Sequence, residues 1–202
     1  MTRAEAFTKR TVDVLASSAG LLVLSPLFLV VAALVRLDSK GPAFYRSLRV
    51  GQYGNLFPMW KFRTMQVNSE SRGITTGKDD PRVTRVGRIL RKYKVDELPQ
   101  LINVWKGDMS LVGPRPDFEE HTSAYRGDEK LILTVRPGIT DYASVHFHNL
   151  SELVGSEDPH RVYTERFRDQ KTRLRVEYVQ RQSLGEDFRI LFRTLFRVVV
   201  RH

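Results

Sequence analysis

The longest apolar stretch of the chain lies near its N-terminus, where residues 14–35 form a run of 22 residues without a charged side chain. At a rise of ~1.5 Å per residue, a helix of this length would just cover a hydrocarbon core of ~30 Å. Ser25 and Pro26 interrupt the run near its middle. Pro26 has no N–H to donate and its ring clashes with the carbonyl of Leu22, so we predict a break there. The Ser25 hydroxyl can bond the backbone group that is freed.

Basic residues flank the apolar run on both sides. They are Arg3, Lys9 and Arg10 before it, and Arg36, Lys40, Arg46 and Arg49 after it. Because basic residues concentrate on the cytoplasmic side of a membrane, both ends are expected there. This favours a re-entrant helix that enters one leaflet, bends and returns to the same face. A spanning anchor with a proline kink is the alternative. A cleaved signal peptide is less favoured, because its apolar region is usually ~7 to 15 residues and no small-residue cleavage site follows here.

Shorter patterns follow the apolar run. Aromatic and β-branched residues in Ala43–Val50 and Leu56–Met65 predict an irregular hairpin, and the polar stretch 68–81 predicts a loop. Val83–Lys94 predicts a basic helix, with Val86, Ile89, Leu90 and Tyr93 on its packed side. A strand is predicted around Tyr142–Phe147.

The clearest helical pattern closes the chain, from Phe188 to His202. Arginines at every fourth position form a stripe beside a broad apolar face, which is typical of a helix at a lipid interface. A helix packed on the domain with solvated arginines is the alternative. Together these patterns predict a helix-rich α+β fold without a large sheet. Residues 1–40 would be the re-entrant membrane helix, and 41–202 a compact cytoplasmic catalytic domain with membrane-surface amphipathic helices.

Composition narrows the partners of this chain. The formal net charge is +10, which suits an anionic surface, either phospholipid or nucleic acid. A soluble nucleic-acid-binding module is disfavoured by the apolar run. There is no cysteine, which excludes disulfides and thiolate metal sites. His146 and His148 lie two residues apart without acidic neighbours, so packing or substrate contact is favoured over metal binding.

Candidate chemistry centres on Asp96 and Glu97, adjacent carboxylates at the start of a predicted helix that ends at Lys106-Gly107. One interpretation is local: Asp96 is an N-cap and Glu97 a first-turn acid that favours the helix dipole. The other involves phosphate. Two prolines hold Arg115 in a stiff, extended segment, and carboxylates with converging arginines suit phosphoryl transfer. Mg²⁺ commonly binds such sites through one or two carboxylates, and a carboxylate can also attack phosphorus directly.

At these residues the chain resembles the bacterial sugar transferases, a family of small monotopic phosphoglycosyl transferases acting on polyprenyl phosphate. The resemblance covers nearly the whole chain. It rests on the Ser25-Pro26 break and on five motifs: Lys-Phe-Arg-Thr-Met (61–65), Asp-Asp-Pro-Arg-Val-Thr (79–84), Val-Asp-Glu-Leu-Pro-Gln (95–100), Lys-Gly-Asp-Met-Ser-Leu-Val-Gly-Pro-Arg-Pro (106–116) and Val-Arg-Pro-Gly-Ile-Thr (135–140).

The resemblance implies transfer of a sugar 1-phosphate from a UDP-sugar to a polyprenyl phosphate such as undecaprenyl phosphate, with release of UMP. This step initiates a cell-surface glycan at the cytoplasmic face of the bacterial inner membrane. By resemblance, Asp96 is the nucleophile and a Mg²⁺ ligand, and Glu97 is its partner. The resemblance is compatible with a homodimer. It also implies phosphate or substrate contacts from Lys61, Arg91, Arg115, Arg136 and His148.

The chain departs from the family between Asp141 and His148. Many members have Gly-Trp-Ala-Gln-Val-Asn-Gly-Arg there, whereas this chain has Asp-Tyr-Ala-Ser-Val-His-Phe-His. The arginine that ends the common pattern becomes His148, whose imidazole is shorter and largely neutral near pH 7. We expect this segment to mark a subclass with its own donor sugar. A membrane scaffold without catalysis is the rival hypothesis, and the intact Asp96-Glu97 pair argues against it.

Overall fold

A computed structural model describes residues 1–67, 80–147, 150–155 and 158–200 of the chain. Its elements, in chain order, are α1 (Arg3–Asp38), β1 (Phe44–Val50), β2 (Leu56–Phe62), α2 (Arg85–Lys92), α3 (Gln100–Lys106), β3 (Ser110–Val112), α4 (Glu119–Thr122), β4 (Gly138–Thr140), α5 (Tyr142–His146), α6 (Leu150–Leu153), α7 (Pro159–Val162), α8 (Arg168–Arg181) and α9 (Leu184–Val200). The predicted helix-rich α+β class is confirmed, and each sheet of the described part of the chain has two strands.

Helix α1 is continuous from Arg3 to Asp38, and Pro26 lies inside it. It begins with a capping box in which Thr2 and Glu5 exchange hydrogen bonds. The Ser25 hydroxyl donates to the Leu22 carbonyl at 2.8 Å, the acceptor that loses its amide partner to Pro26, as predicted. The helical assignment is not interrupted at Ser25-Pro26, so the re-entrant course stays a prediction. Among the described helices, α1 is long and apolar enough to cross a membrane.

The two ends of α1 both pack against the same domain. Near its start, Arg10 donates to the carbonyls of Val104 and Trp105, and Asp13 accepts from the Leu111 amide at 2.9 Å. Toward its end, Val31 and Val35 are buried in a cluster with Phe62 of β2 and Leu90 of α2. Asp38 then accepts from the amide of Val86, at the start of α2. Helix α1 is therefore packed against the domain near both of its ends.

Strands β1 and β2 form the predicted hairpin, paired antiparallel from Phe44 opposite Phe62 to Val50 opposite Leu56. Strand β2 presents Phe57 and Met59 to a second cluster with Val104 and Met109. The parallel pair of β3 and β4 is small but central, because it aligns Val112 with Thr140 beside the candidate site.

Two local predictions are wrong. The segment predicted as a strand, Tyr142–Phe147, forms helix α5 because the Asp141 side chain caps it by accepting from the Ser144 amide at 2.6 Å. The basic helix is shorter than predicted: Thr84 caps it, and it ends at Lys92. Leu90 is buried, but Ile89 is 59% exposed.

Helix α9 matches the terminal pattern up to Val200; residues 201–202 lie outside the described part. Ile190 is buried on the domain beside Val112 and Tyr178. Phe188, Phe192, Leu195 and Phe196 are all more than half exposed. The helix is tied to α1 by the ion pair of Asp187 with Lys9, at 2.5 Å. Helices α1 and α9 thus start side by side, each with an exposed apolar face.

Candidate active site

The two adjacent carboxylates lie on a tight turn. After α2, Lys94 adopts a left-handed conformation (φ 59°), which reverses the chain into a single 3-10 turn, Val95–Glu97. A non-glycine residue in this region is strained by about 1 kcal/mol or more, a feature that clusters at functional sites. The cap interpretation of Asp96 is wrong: α3 starts only at Gln100, after Pro99, and it has no side-chain cap. Asp96 and Glu97 are therefore available for another role.

Glu97 is held by two cations from distant parts of the chain. Its Oε1 accepts from the Lys61 ammonium at 3.1 Å and from the Arg115 guanidinium. The three side chains keep only about a fifth of their surface exposed. Burial acts to raise the pKa of Glu97, but the charges of Arg115 and Lys61 outweigh it and hold that pKa well below its usual range. Glu97 is thus an ionised carboxylate committed to holding two cations.

Asp96 has the opposite environment. It is 7% exposed, and its Oδ1 is buried without a hydrogen-bond partner among the described residues. Burial, reinforced by the neighbouring charge of Glu97, raises the pKa of Asp96. A buried polar atom is ordinarily paired, so an unpaired one indicates a partner supplied from outside the chain. Two neighbouring carboxylates whose pKa values are pushed apart are typical of a division of roles.

Successive residues of the 61–65 motif contact Glu97, helix α1 and Arg91. Lys61 reaches Glu97, and Phe62 packs against α1. The buried guanidinium of Arg63 donates to the carbonyls of Val35, Ser39 and Lys40 at the end of α1, where the helix dipole favours a cation. Thr64 accepts from Arg91 Nε at 2.8 Å, which directs the Arg91 side chain toward the site. Burial lowers the pKa of Arg91, and Asp96 is the charge that most opposes this effect.

A close backbone contact positions Arg115. Gly113 donates to the Thr140 carbonyl and Gly138 to the Pro114 carbonyl, both at 3.0 Å. A Cβ on Gly138 would lie 2.0 Å from the Gly113 nitrogen, so glycine is required there by space. Asp141, fully buried, accepts from the Arg115 amide at 3.1 Å. The backbone of Arg115 is thus fixed on both sides, while its side chain extends to Glu97.

A second charged cluster supports this segment, and the sequence patterns did not indicate it. Arg175 of α8, 3% exposed, donates to Asp117 at 3.1 Å and lies 3.9 Å from Asp141. Burial acts to lower the pKa of Arg175, but the carboxylates around it, Asp117 first, raise it above its usual value. Burial lowers the pKa of nearby Lys171 to about 7. In the sequence, Arg175 is one of several arginines on the polar face of α8. The helical pattern does not distinguish this buried arginine from its solvated neighbours.

Other residues expected to contact substrate lie apart from this group or outside the described residues. Arg136 is exposed, and its Nε donates to the Gly107 carbonyl at 3.0 Å, which ties the turn before β4 to the end of α3. His148 lies outside the described residues. Substrate contacts from both residues stay predictions.

The site fits a cation with few protein ligands. The described residues contain no cluster of three or more metal-ligating side chains. Asp96 contributes one buried carboxylate oxygen that no described residue contacts by a hydrogen bond, and Glu97 Oε1 is already bonded to two cations. Mg²⁺ is often held in this way, by one or two carboxylates together with water and substrate phosphates.

Comparison with known proteins agrees with these motifs. The family model described as bacterial sugar transferase matches residues 4–201. An N-acetylgalactosaminephosphotransferase acting on undecaprenyl phosphate, from Aeromonas hydrophila, is 39% identical over 94% of the chain and 43% of its own length. A UDP-glucose:undecaprenyl-phosphate glucose-1-phosphate transferase from Escherichia coli K12 is 36% identical over 94% of the chain and 39% of its own length. The exopolysaccharide production protein ExoY of Rhizobium meliloti is 38% identical over 93% of the chain and 83% of its own length. The chain thus spans about two fifths of the first two relatives and most of the third. The chain belongs to the bacterial sugar transferase family.

Proposed function

We propose that this protein transfers a sugar 1-phosphate from a UDP-sugar to undecaprenyl phosphate or a similar polyprenyl phosphate. The names of the relatives describe this class of reaction with different sugars. The observation that carries the proposal is the environment of Asp96, whose buried carboxylate oxygen has no partner within the described ranges, beside a second carboxylate that is already held by two cations. The product is the lipid-linked sugar that starts a cell-surface glycan.

The reaction proceeds in two displacements at phosphorus. In the first, an Asp96 oxygen attacks the β-phosphorus of the UDP-sugar, and the bond from that phosphorus to the bridging oxygen breaks. UMP leaves with the electron pair, and the sugar phosphate stays on Asp96 as an acyl phosphate. In the second, a phosphate oxygen of the polyprenyl phosphate attacks the same phosphorus. The Asp96–phosphorus bond breaks and the carboxylate is restored, so no oxidant or reductant is required.

The cations around the site supply most of the catalysis in this proposal. Phosphoryl transfer depends mainly on positioning and on charge stabilisation. Arg115 and Lys61 are already held by Glu97, and Arg91 by Thr64, so their orientation requires no rearrangement when substrate binds. Glu97 therefore acts by positioning two cations that contact the substrate phosphates.

Mg²⁺ is the cofactor we propose, with Asp96 as its protein ligand. When bound, the ion neutralises charge on the diphosphate of the donor. The rest of the site is formed by the side chains of the chain itself. The test is to remove metal by thorough chelation and then to titrate Mg²⁺ back. Turnover that stayed unchanged throughout would exclude the requirement for Mg²⁺.

We further propose that α1 is re-entrant and that the domain lies on the cytoplasmic face of the inner membrane. The packing of α1 supports this topology. Asp13 and Val31 are separated by roughly 27 Å along a helix at ~1.5 Å per residue. Both contact the same domain, so a straight crossing would draw that domain into the hydrocarbon core. The exposed residues of α1 and α9 would then face lipid. A homodimer stays a prediction that mass measurement in detergent would test.

The decisive experiment measures UMP in the absence of the lipid acceptor. Enzyme mixed with its UDP-sugar and Mg²⁺ should release a burst of about one UMP per enzyme molecule, and intact-protein mass should increase by one sugar phosphate. Asp96→Asn should abolish both signals. Asp128→Asn, which changes an exposed carboxylate of the same type, is the matched control.

Three outcomes would contradict parts of the proposal. Release of UMP only when acceptor is present would exclude the covalent intermediate. A normal burst from Asp96→Asn would exclude Asp96 as the nucleophile. Failure to release UMP with any donor of a broad panel, with or without acceptor, would favour a scaffold without catalysis.

The donor sugar is proposed to depend on the segment from Asp141 to His148. Its first residue holds the backbone of Arg115, so this segment adjoins the phosphate-binding group. Replacing the segment with the common family pattern should change the order of preference in the donor panel. An unchanged order would show that donor choice resides elsewhere.

A further inference from the structure

A groove of about 560 Å³ lies on the face of the domain formed by α5, α8 and α9. Its size is in the range of small-molecule sites. Asp96, Glu97 and the cations around them do not line it, whereas Tyr142, Val145 and His146 of the segment proposed to govern donor choice do. Val145 and His146 form one side, Glu177 and Arg181 a second, and Arg193 and Phe196 the third.

The charge of the groove is positive. Four arginines line it against two glutamates. Two arginines are paired across a helical turn: Arg181 with Glu177 at 3.1 Å and Arg189 with Glu186 at 3.0 Å. Arg193 has no ion pair among the described residues, and it lies one turn from Arg189. An anion in the groove could therefore form an ion pair with Arg193.

The rim of the groove is apolar on the side of α9. Phe192 is 71% exposed and Phe196 57% exposed, and their rings stack with centroids 6.5 Å apart. On the helix surface the arginine stripe borders this aromatic face, because Arg189 precedes Phe192 by three residues and Arg193 precedes Phe196 by three. A ligand that matches both features has an anionic head and an apolar tail.

The position of α9 selects the source of this ligand. The ion pair of Lys9 with Asp187 joins the start of α9 to α1, just before the apolar run of that helix. Exposed rings on α9 and exposed aliphatic side chains on α1 thus belong to adjoining elements. A bilayer that covers the exposed side chains of α1 would therefore present its headgroups at the level of the exposed rings of α9.

We propose that this groove binds the headgroup of an anionic phospholipid of the surrounding bilayer. The lipid phosphate accepts hydrogen bonds from Arg193 and Arg181, and an acyl chain lies along Phe192 and Phe196. This site does not include Asp96, Glu97 or their cations, and it fixes the depth and tilt of the domain at the membrane.

The full-length protein in detergent micelles allows a test that needs no turnover. Native mass spectrometry during titration with phosphatidylglycerol should show one tightly retained lipid, and titration with phosphatidylcholine should not. Arg193→Gln should weaken phosphatidylglycerol binding roughly tenfold, since a charge-assisted hydrogen bond is lost. Arg193→Lys should retain most of the affinity, and this variant also reports on folding. The matched control is Arg173→Gln, an exposed arginine of α8 that does not line the groove.

Equal losses from Arg193→Gln and Arg173→Gln would overturn the proposal, because general charge attraction would then explain the binding. Equal retention of both lipids would also overturn it. A third arm adds polyprenyl phosphate: if it displaces phosphatidylglycerol from the wild type, and Arg193→Gln raises the KM for acceptor, the groove belongs to the substrate. A failure of the proposed reaction would leave these lipid measurements unchanged, so the two hypotheses can fail separately.

Discussion

Replacing Gly138 by alanine should damage both the fold and the site, because two backbones meet at this residue. The new Cβ would lie 2.0 Å from the Gly113 nitrogen, 2.5 Å from its carbonyl oxygen and 2.6 Å from its Cα. All three are backbone atoms, so no side chain can rotate away. The start of β4 and the segment after β3 would have to separate by more than about 1 Å to reach ordinary van der Waals contact at ~3.5 Å.

The size of the effect follows from the bonds that cross this contact. Two backbone hydrogen bonds of 3.0 Å lie here, from the Gly113 amide to the Thr140 carbonyl and from the Gly138 amide to the Pro114 carbonyl. The required separation would break both. Each loss costs about 1 kcal/mol, and up to ~3 kcal/mol where a buried group is left unpaired, so we expect about 2–4 kcal/mol in total. For a protein of this size, that lowers Tm by roughly 5–15 °C. The same shift would move Arg115, and a displacement of about 1 Å can reduce kcat ~10²-fold.

Two measurements on one preparation test this reasoning: thermal unfolding, and UMP release per folded molecule at a temperature where the variant is fully folded. Gly185→Ala is the control, because its nearest heavy atom would be Ser183 Oγ at 4.0 Å, and alanine should stabilise a helix there. A wild-type Tm for Gly138→Ala would refute the steric argument. A lowered Tm with unchanged kcat would refute the link between this contact and the position of Arg115.

Three other perturbations have defined outcomes. Glu97→Gln should lower kcat roughly 10²-fold, because Lys61 and Arg115 lose the charge that orients them, whereas the exposed-site control Glu119→Gln should be unaffected; equal turnover of the two would contradict the positioning role. Burial lowers the pKa of Lys171 to about 7, so the unfolded chain binds more protons between pH 7 and the ordinary lysine range, and stability from this group rises with pH across that window. Lys171→Met should therefore raise Tm more at pH 6 than at pH 9, and the reverse order would show that Lys171 is stabilised as a cation. Pro26→Ala restores an amide partner for the Leu22 carbonyl and should favour a straighter, spanning helix; cysteine labelling that still finds both ends cytoplasmic would show that Pro26 alone does not set the topology.

Patterns with a local cause were predictable from the sequence. The β1–β2 hairpin follows from aromatic and β-branched residues on both sides of Gly51 and Gly54, and Gly107 ends α3 in the left-handed conformation that glycine favours. Helix α5 was not predictable, because Tyr142–His146 combines aromatic and β-branched residues that favour strands. Its helical start depends on Asp141, whose other oxygen holds the Arg115 amide 26 residues earlier in the chain.

The candidate site shows the same division between local and distant causes. Asp96 and Glu97 were recognisable as a motif, but their sequence position indicated a helix cap, and that local interpretation is wrong. The partners that distinguish the two carboxylates are Lys61, 36 residues before Glu97, and Arg115, 18 residues after it. Such contacts follow from the packing of β2 against the 3-10 turn Val95–Glu97 and against α3. Motif resemblance indicated these residues, whereas the buried support from Arg175 required the structure.

Helix α1 is a structural part of the candidate site as well as the proposed membrane anchor. Arg63 binds the end of α1 two residues after Lys61 binds Glu97, so the position of the helix end and the position of a site cation are set by one short segment. At the other end of α1, Asp13 holds the Leu111 amide in β3, which leads directly into the segment that carries Arg115. Both cations of Glu97 are therefore within a few residues of a contact to α1. If α1 lies in lipid as proposed, the lipid covers its exposed apolar side chains and so helps to hold the site together. It follows that detergents which displace α1 should reduce activity before they unfold the domain.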